Sequence, residues 1–333
     1  MTIKVLHIVN HPDTLALIKA AGIEGEGLAW RDPLYEGPIL AESLETLSEI
    51  RAKHFADANW GTFYSIYGNF ERRDEALRQF RRFDSVCLWF DHDLLDQLQL
   101  LQLLNWFSQQ TMSGVRLELV YAGHVRGVFR FTGLENLHPD QIKKLYRDRF
   151  DISVNQMDLA ARVWKAITAD TPKQLMALRD EKMPLLPFLK DAIVRLLEEY
   201  PEKETGLSRS ERQIAQVVYS GVSLPGAIFE MAQRKEHMPF MNLQACKRIL
   251  HRMLTCKHPI LALKRNTPIP EVRSEDFMRQ HFYITNIGFS ILAETTDNIT
   301  LNGIDRWVGG VHIQEGRVWR RDKKQSVLKR TYA

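Results

Sequence analysis

Apolar residues form three nearly unbroken runs in the first third of the chain: "IKVLHIV" (3–9), "SVCLWF" (85–90) and "VRLELVYAG" (115–123). The first two, nearly continuous and rich in branched and aromatic residues, predict buried strands, and the third reads as a further clear strand. Helix-period segments follow two of them. "DTLALIKAAG" (13–22) has Asp13 available as N-cap and Gly22 as a stop, and "LLDQLQLLQLLNWF" (94–107) is opened by Asp93. A short strand around "GLAWR" (27–31), the turn "DPLYEGP" and helical stretches to about Gln79 fill the interval between the first two runs. Strand, helix, strand at this spacing predicts βαβ units, and so an α/β domain over residues 1–125 with a mostly parallel, doubly wound sheet.

The period changes to helical from about His138. Pro139 and Pro172 stand at first-turn positions, and Ser153 with Gln156 has capping-box spacing, so residues 126–205 read as a helical connector. Over 206–333 the pattern is three short helices, the first boxed by Ser208 and Glu211 and the third opened by Asn242. A strand "PILALK" (259–264), a charged loop, a strand "HFYIT" and a helix "NIGFSILAE" follow. That order predicts a winged-helix-like domain. Beyond it, "DRWVGGVHIQEGRVWRRDKK" reads as an added hairpin turning at Glu315–Gly316, then a basic tail.

Charge sharpens the division. Residues 241–333 hold 16 Lys and Arg against 8 Asp and Glu, a net of +8 in a chain whose net is +4, which leaves −4 for residues 1–240. A basic C-terminal third points to a polyanionic partner, with a solvated basic surface as the alternative. Three cysteines, Cys87, Cys246 and Cys256, are too few for a disulfide framework, and no leader or membrane-spanning run is visible, so a cytoplasmic protein without a membrane partner is expected. There is no Gly-x-Gly-x-x-Gly, phosphate loop or Gly-x-Ser-x-Gly elbow, which disfavours dinucleotide enzymes, kinases of the P-loop type and α/β-hydrolases.

Ligands of parallel sheets lie outside the carboxyl ends of the strands. At those ends stand His7, Asn10, Asp13 and Thr14; Trp30, Arg31, Asp32 and Glu36; and Asp91, His92, Asp93 and Gln97, which together form the expected binding set for a small anionic ligand. The plainer reading makes Asp13 and Asp93 helix caps, Arg31 and Glu36 an ion pair, His7 a satisfied core histidine, and Gln97 and Gln102 solvent-facing. If the site is catalytic, His7, Asp91 and Asp93 are its acid/base groups. No metal is assigned: consecutive residues point in different directions, so at most two of Asp91, His92 and Asp93 would share an ion, and Cys246, His251, Cys256 and His258 lack zinc spacing. On the third C-terminal helix, Gln244, Lys247, Arg248, His251 and Arg252 are expected to be exposed and to meet DNA, with Lys264 and Arg265 in the loop beside them.

The "HIVN…T" opening, "WRDPLYEGP", "LWFDHDLLDQLQLLQLL", "GLSRSE" and "DRWVGGVHI" together resemble the bacterial family called domain of unknown function 1835. Relatives carry Gly-Asp-Ser after the first strand where this chain has "NHPDT". The resemblance implies a cytoplasmic bacterial protein with an α/β front and a helical back, and it supplies no activity. The expected function is a regulator that joins an α/β ligand- or partner-binding domain to a DNA-binding winged helix. A metal-assisted hydrolase or phosphotransfer enzyme and a non-catalytic interaction module are the alternatives. Cofactor and oligomeric state leave no signal.

Overall fold

The structure, a computed structural model, describes residues 3–264, 267–325 and 327–331. Five strands, β1 (Val5–Val9), β2 (Glu26–Ala29), β3 (Ser85–Asp91), β4 (Arg116–Ala122) and β5 (Phe150–Asp151), form one sheet in the order β2-β1-β3-β4-β5. All neighbours are parallel except β4 and the two-residue edge strand β5. Every residue of β1 and β3 is buried, as their unbroken apolar runs require. In register, Val9 lies beside Ala29 and Trp89, and Asp91 beside Ala122, so the strands end close together.

The helices of this first unit are α1 (Pro12–Ala20), α2 (Leu44–Asp57), α3 (Phe63–Arg78), α4 (Leu94–Ser108), α5 (Pro139–Arg147), α6 (Val154–Ile167), α7 (Lys173–Leu178) and the start of α8 (Leu189–Leu197). Ile18 of α1 and Ile142 of α5 pack on Val5, Val9, Cys87, Trp89 and Val120. The polar interruptions of α4 are buried rather than solvent-facing, because each amide completes a bond inside the fold. Gln99 donates to the carbonyl of Asp32 (2.8 Å), Gln102 accepts from Trp30 Nε1 (2.8 Å), and Gln97 bonds the carbonyl of Asp91.

Those contacts also explain "WRDPLYEGP". Its anchor is Arg51, fully buried on α2: Nε donates to both oxygens of Asp32 (2.9 and 3.0 Å), and Nη1 donates to the carbonyls of Pro38 (2.9 Å) and Glu36 (3.1 Å). The expected Arg31–Glu36 pair is replaced by this interaction, and Arg31 is exposed. Gly37 turns the loop at φ +78, where a side chain would also strike His54.

The chain divides into two compact units, one running to Ile193 and including Gly309–Val311, the other comprising Val194–Val308 and the residues from His312 onward. In the first, the glycine pair of "WVGGV" permits a close backbone approach: Gly310 N donates to Ile167 O (2.8 Å), and a Cβ on Gly310 would lie 2.2 Å from Thr168 O. The second contains α9 (Arg209–Tyr219), α10 (Pro225–Arg234), α11 (Leu243–Thr255), β6 (Leu261–Ala262), α12 (Glu275–Met278), β7 (Tyr283–Ile284), α13 (Asn286–Leu292) and α14 (Asn298–Asn302). After these come β8 (Asp305–Val308), β9 (Val311–Gln314), β10 (Val318–Asp322) and β11 (Val327–Thr331). Strands pair antiparallel as β6–β7 and β10–β11, and β8 pairs with β9. Ile214, Ile228, Leu250, Phe277, Phe282 and Ile291 share the core of the second unit. Among the described residues no helix is long and apolar enough to cross a membrane.

Candidate functional site

Chain leaving β1 runs toward β2, and chain leaving β3 runs toward β4, so the connections diverge at the carboxyl ends of two adjacent strands. Such a switch point opens the crevice in which parallel α/β sheets hold ligands. Asp91 is the last residue of β3, Asp93 is the N-cap of α4, and Asp96 lies in the first turn of that helix. All three are buried, and they offer carboxylate oxygens within 4.8 Å of one another.

Their closeness follows from the local turn. Asp91 Oδ1 accepts from Asp93 N (3.1 Å) and Asp93 Oδ1 accepts from Asp96 N (2.9 Å), while Asp96 Oδ2 accepts from Asp91 N (2.7 Å). Asn10, just past β1, donates its amide to Asp96 Oδ1. Among the described residues none of the three carboxylates is paired with Lys or Arg. Burial first, and then the neighbouring Asp91 charge, pushes the carboxyls of Asp93 and Asp96 well above the ordinary range. Glu135, half-buried nearby, is raised by burial and by Asp91 as well. The cluster therefore needs protons or a cation to be stable.

His92 lies between the carboxylates and an aromatic pair. Its ring stacks on Phe131 (5.3 Å between centroids) and meets Phe188 edge-on (5.9 Å). Its Nδ1 is buried 3.7 Å from Asp91 Oδ1 with no hydrogen-bond partner among the described residues. Thr14 is buried in α1, and Asp13 is exposed in its first turn. The cap of α1 is His11 rather than Asp13: its Nδ1 accepts from Asp13 N (3.3 Å).

Several expected ligand groups belong instead to the interior of the fold. Trp89 Nε1 donates to His7 Nδ1 (3.1 Å), so His7 Nε2 carries the proton and donates to the carbonyl of Glu24 (3.1 Å). Burial lowers the His7 pKa, and with both nitrogens engaged it has no free position for proton transfer. Trp30 and Asp32 are buried on Gln102 and Arg51, Glu36 offers its carbonyl to Arg51, and Gln97 braces Asp91 from behind while accepting from Tyr121 Oη (2.6 Å). Asn10, Asp91 and Asp93 are the expected residues that meet at the crevice.

In the second unit the expected exposed face of α11 is partly covered. Lys247 is buried, its ammonium 5.6 Å from the Phe277 ring centroid, because α12 lies against this face. Gln244, Arg248 and His251 are half-buried. Arg252 is half-exposed and donates to Glu211 (2.9 Å). Lys264 is exposed, and Arg265 lies outside the described residues.

Sequence reasoning missed Asp96. Its signal was a carboxylate three residues after a capping aspartate in an otherwise apolar helix. The chain matches no protein-family model. It also matches no curated protein.

Proposed function

We propose that the α/β unit binds an oxygen-preferring divalent cation, Mg2+ or Mn2+, at Asp91, Asp93 and Asp96, and that open positions on the cation take a small anionic ligand in the crevice between β1 and β3. The observation that carries this reading is three buried carboxylates within 4.8 Å at the switch point of the sheet. Hard cations are held by such carboxylates and keep sites free for phosphate or carboxylate oxygens. On this reading the protein responds to a ligand. The buried, doubly bonded His7 argues against an acid/base role for that residue.

A second reading concerns the other unit: a winged-helix-like module that meets DNA through α11 and the loop after β6. The order of elements, the β6–β7 pair, the half-buried Gln244, Arg248 and His251, and the exposed Lys264 favour it. Burial of Lys247 and pairing of Arg252 leave it fewer cations than the sequence offered.

The test is calorimetric titration of the full chain with Mg2+ and Mn2+, with and without inorganic phosphate. Saturable binding near one equivalent, tightened by phosphate, is the expected result. The reading fails if no heat appears with either cation, or if Asp91→Asn binds as the wild type does. A parallel assay for phosphate-ester hydrolysis separates ligand binding from the enzymatic alternative.

A further inference from the structure

The second unit contains a cavity of about 760 Å3 that has no part in the cation site. Its size falls in the range of small-molecule sites, about 300–1,000 Å3. Leu207, Met253, Ile260, Ile299, Ile304 and Val318 give it an apolar lining, and three charged groups, Glu211, Arg252 and Arg306, complete one wall.

The hydrogen bonds of that wall leave it rich in donors. Both oxygens of Glu211 are engaged: Oε1 accepts from Arg252 Nη2 (2.9 Å), and Oε2 accepts from Arg306 Nη1 (2.9 Å) and from Ser208 N (2.8 Å). Against the pull of burial, Arg306 and Arg252 bring its carboxyl down to about 2, so it is ionised and accepts no further proton at neutral pH. Arg252 has one of its nitrogens bonded and keeps the rest of its guanidinium edge, among the described residues. Arg306 Nη2 is taken by the carbonyl of Glu199 (2.9 Å), but its Nε is buried with no acceptor among those residues. The acids at the rim do not cancel this surplus. Asp305 and Glu315 are exposed, water screens them, and Asp305 already accepts from His312 (2.6 Å).

We infer that this cavity is a binding site for a small carboxylate with an apolar body, its oxygens on Arg252 and Arg306 and its hydrocarbon part among Met253, Ile299 and Ile304. Guanidinium groups match carboxylates in geometry and form the stronger, charge-assisted class of hydrogen bond. Because Arg252 and Met253 belong to α11 and Cys256 is its C-cap, such a ligand fastens the end of that helix to α9 and α14.

Benzoate is the probe, and benzamide, equal in shape and uncharged, is its control. In titrations of the full chain benzoate binds, benzamide binds at least about tenfold more weakly, and Arg252→Gln weakens benzoate by about tenfold or more. Arg252 also pairs with buried Glu211, so its replacement lowers the melting temperature of the unliganded protein, and benzoate affinity is read on the folded variant below that transition. If Arg252→Gln fails to fold, Ile304→Trp, which fills the cavity, must abolish benzoate binding. Equal binding of benzoate and benzamide, wild-type affinity in either variant, or no benzoate binding up to about 10 mM would overturn the inference. None of these outcomes bears on cation binding by the first unit.

Discussion

Asparagine at position 93 keeps the acceptor that caps α4, since its amide oxygen can stand where Asp93 Oδ1 meets Asp96 N, and it removes one of three like charges. Two unit charges 4.8 Å apart repel by about 3.5 kcal/mol at an effective dielectric of about 20. Full ionisation of all three carboxyls would cost about 10 kcal/mol, as much as a whole domain's stability, so without a cation the triad retains protons. Carboxyls whose pKa is raised in the fold, as those of Asp93 and Asp96 are, contribute their stability below the unfolded value of about 3.9 and lose it as pH rises through the raised value. Asp93→Asn removes two of the three repelling pairs. Near pH 8 in EDTA the variant should therefore be more stable than the wild type by about 1–3 kcal/mol, a part of the repulsion of two pairs, and near pH 4 the two should converge. Magnesium narrows or reverses the gap, because at a hundredfold excess over Kd the wild type gains about 2.7 kcal/mol while the variant, short of a ligand, gains far less. Urea denaturation of both proteins at both pH values, with EDTA or Mg2+, reads all eight stabilities. A variant less stable than wild type in EDTA near pH 8, or equally stabilised by Mg2+, would refute the reasoning.

Two further substitutions probe the groups assigned to the fold. Arg51→Met leaves the buried Asp32 with only the more distant Arg73 (3.5 Å) and strands three loop carbonyls, and should cost about 3–5 kcal/mol in chemical denaturation; a loss under 1 kcal/mol would show that the loop has another anchor. His7→Leu leaves Trp89 Nε1 and the Glu24 carbonyl without partners, at about 1–3 kcal/mol each, yet cation affinity by calorimetry should not change. The same variant tests a pH effect. A histidine whose pKa is lowered by burial contributes stability above about 6.5 and loses it as pH falls toward the folded value, so His7→Leu should flatten the decline below that pH.

Periodicity was enough to read the buried strands, the Asp93 cap and the Ser208–Glu211 box, because each depends on residues close in sequence, and the strand–helix–strand order was enough to expect the parallel pairing of β1, β3 and β4. The seam "FDHD" was legible as a strand end running into a capped helix for the same reason. What was not legible depends on partners far along the chain. Arg51 lies about twenty residues from the turn it holds, and nothing local marks it as the cation for Asp32 in place of Arg31. Gln97 and Gln102 looked like exposed interruptions of a helix, but Tyr121 of β4 and Trp30 just past β2 donate to them. Lys247 was placed outward by helical phase, and only the packing of Phe277 against α11 covers it. Asp96 joins Asp91 and Asp93 through a chain of side-chain to backbone hydrogen bonds while the His92 ring packs on Phe131, directions that residue types alone do not encode.

The most direct test of the cation site is a crystal of the full chain soaked in Mn2+ and measured for anomalous scattering. The account predicts a peak within about 2.2 Å of oxygens from at least two of Asp91, Asp93 and Asp96, absent from Asp93→Asn crystals. Peaks only at exposed carboxylates, with the crevice between β1 and β3 empty at saturating Mn2+, would contradict it.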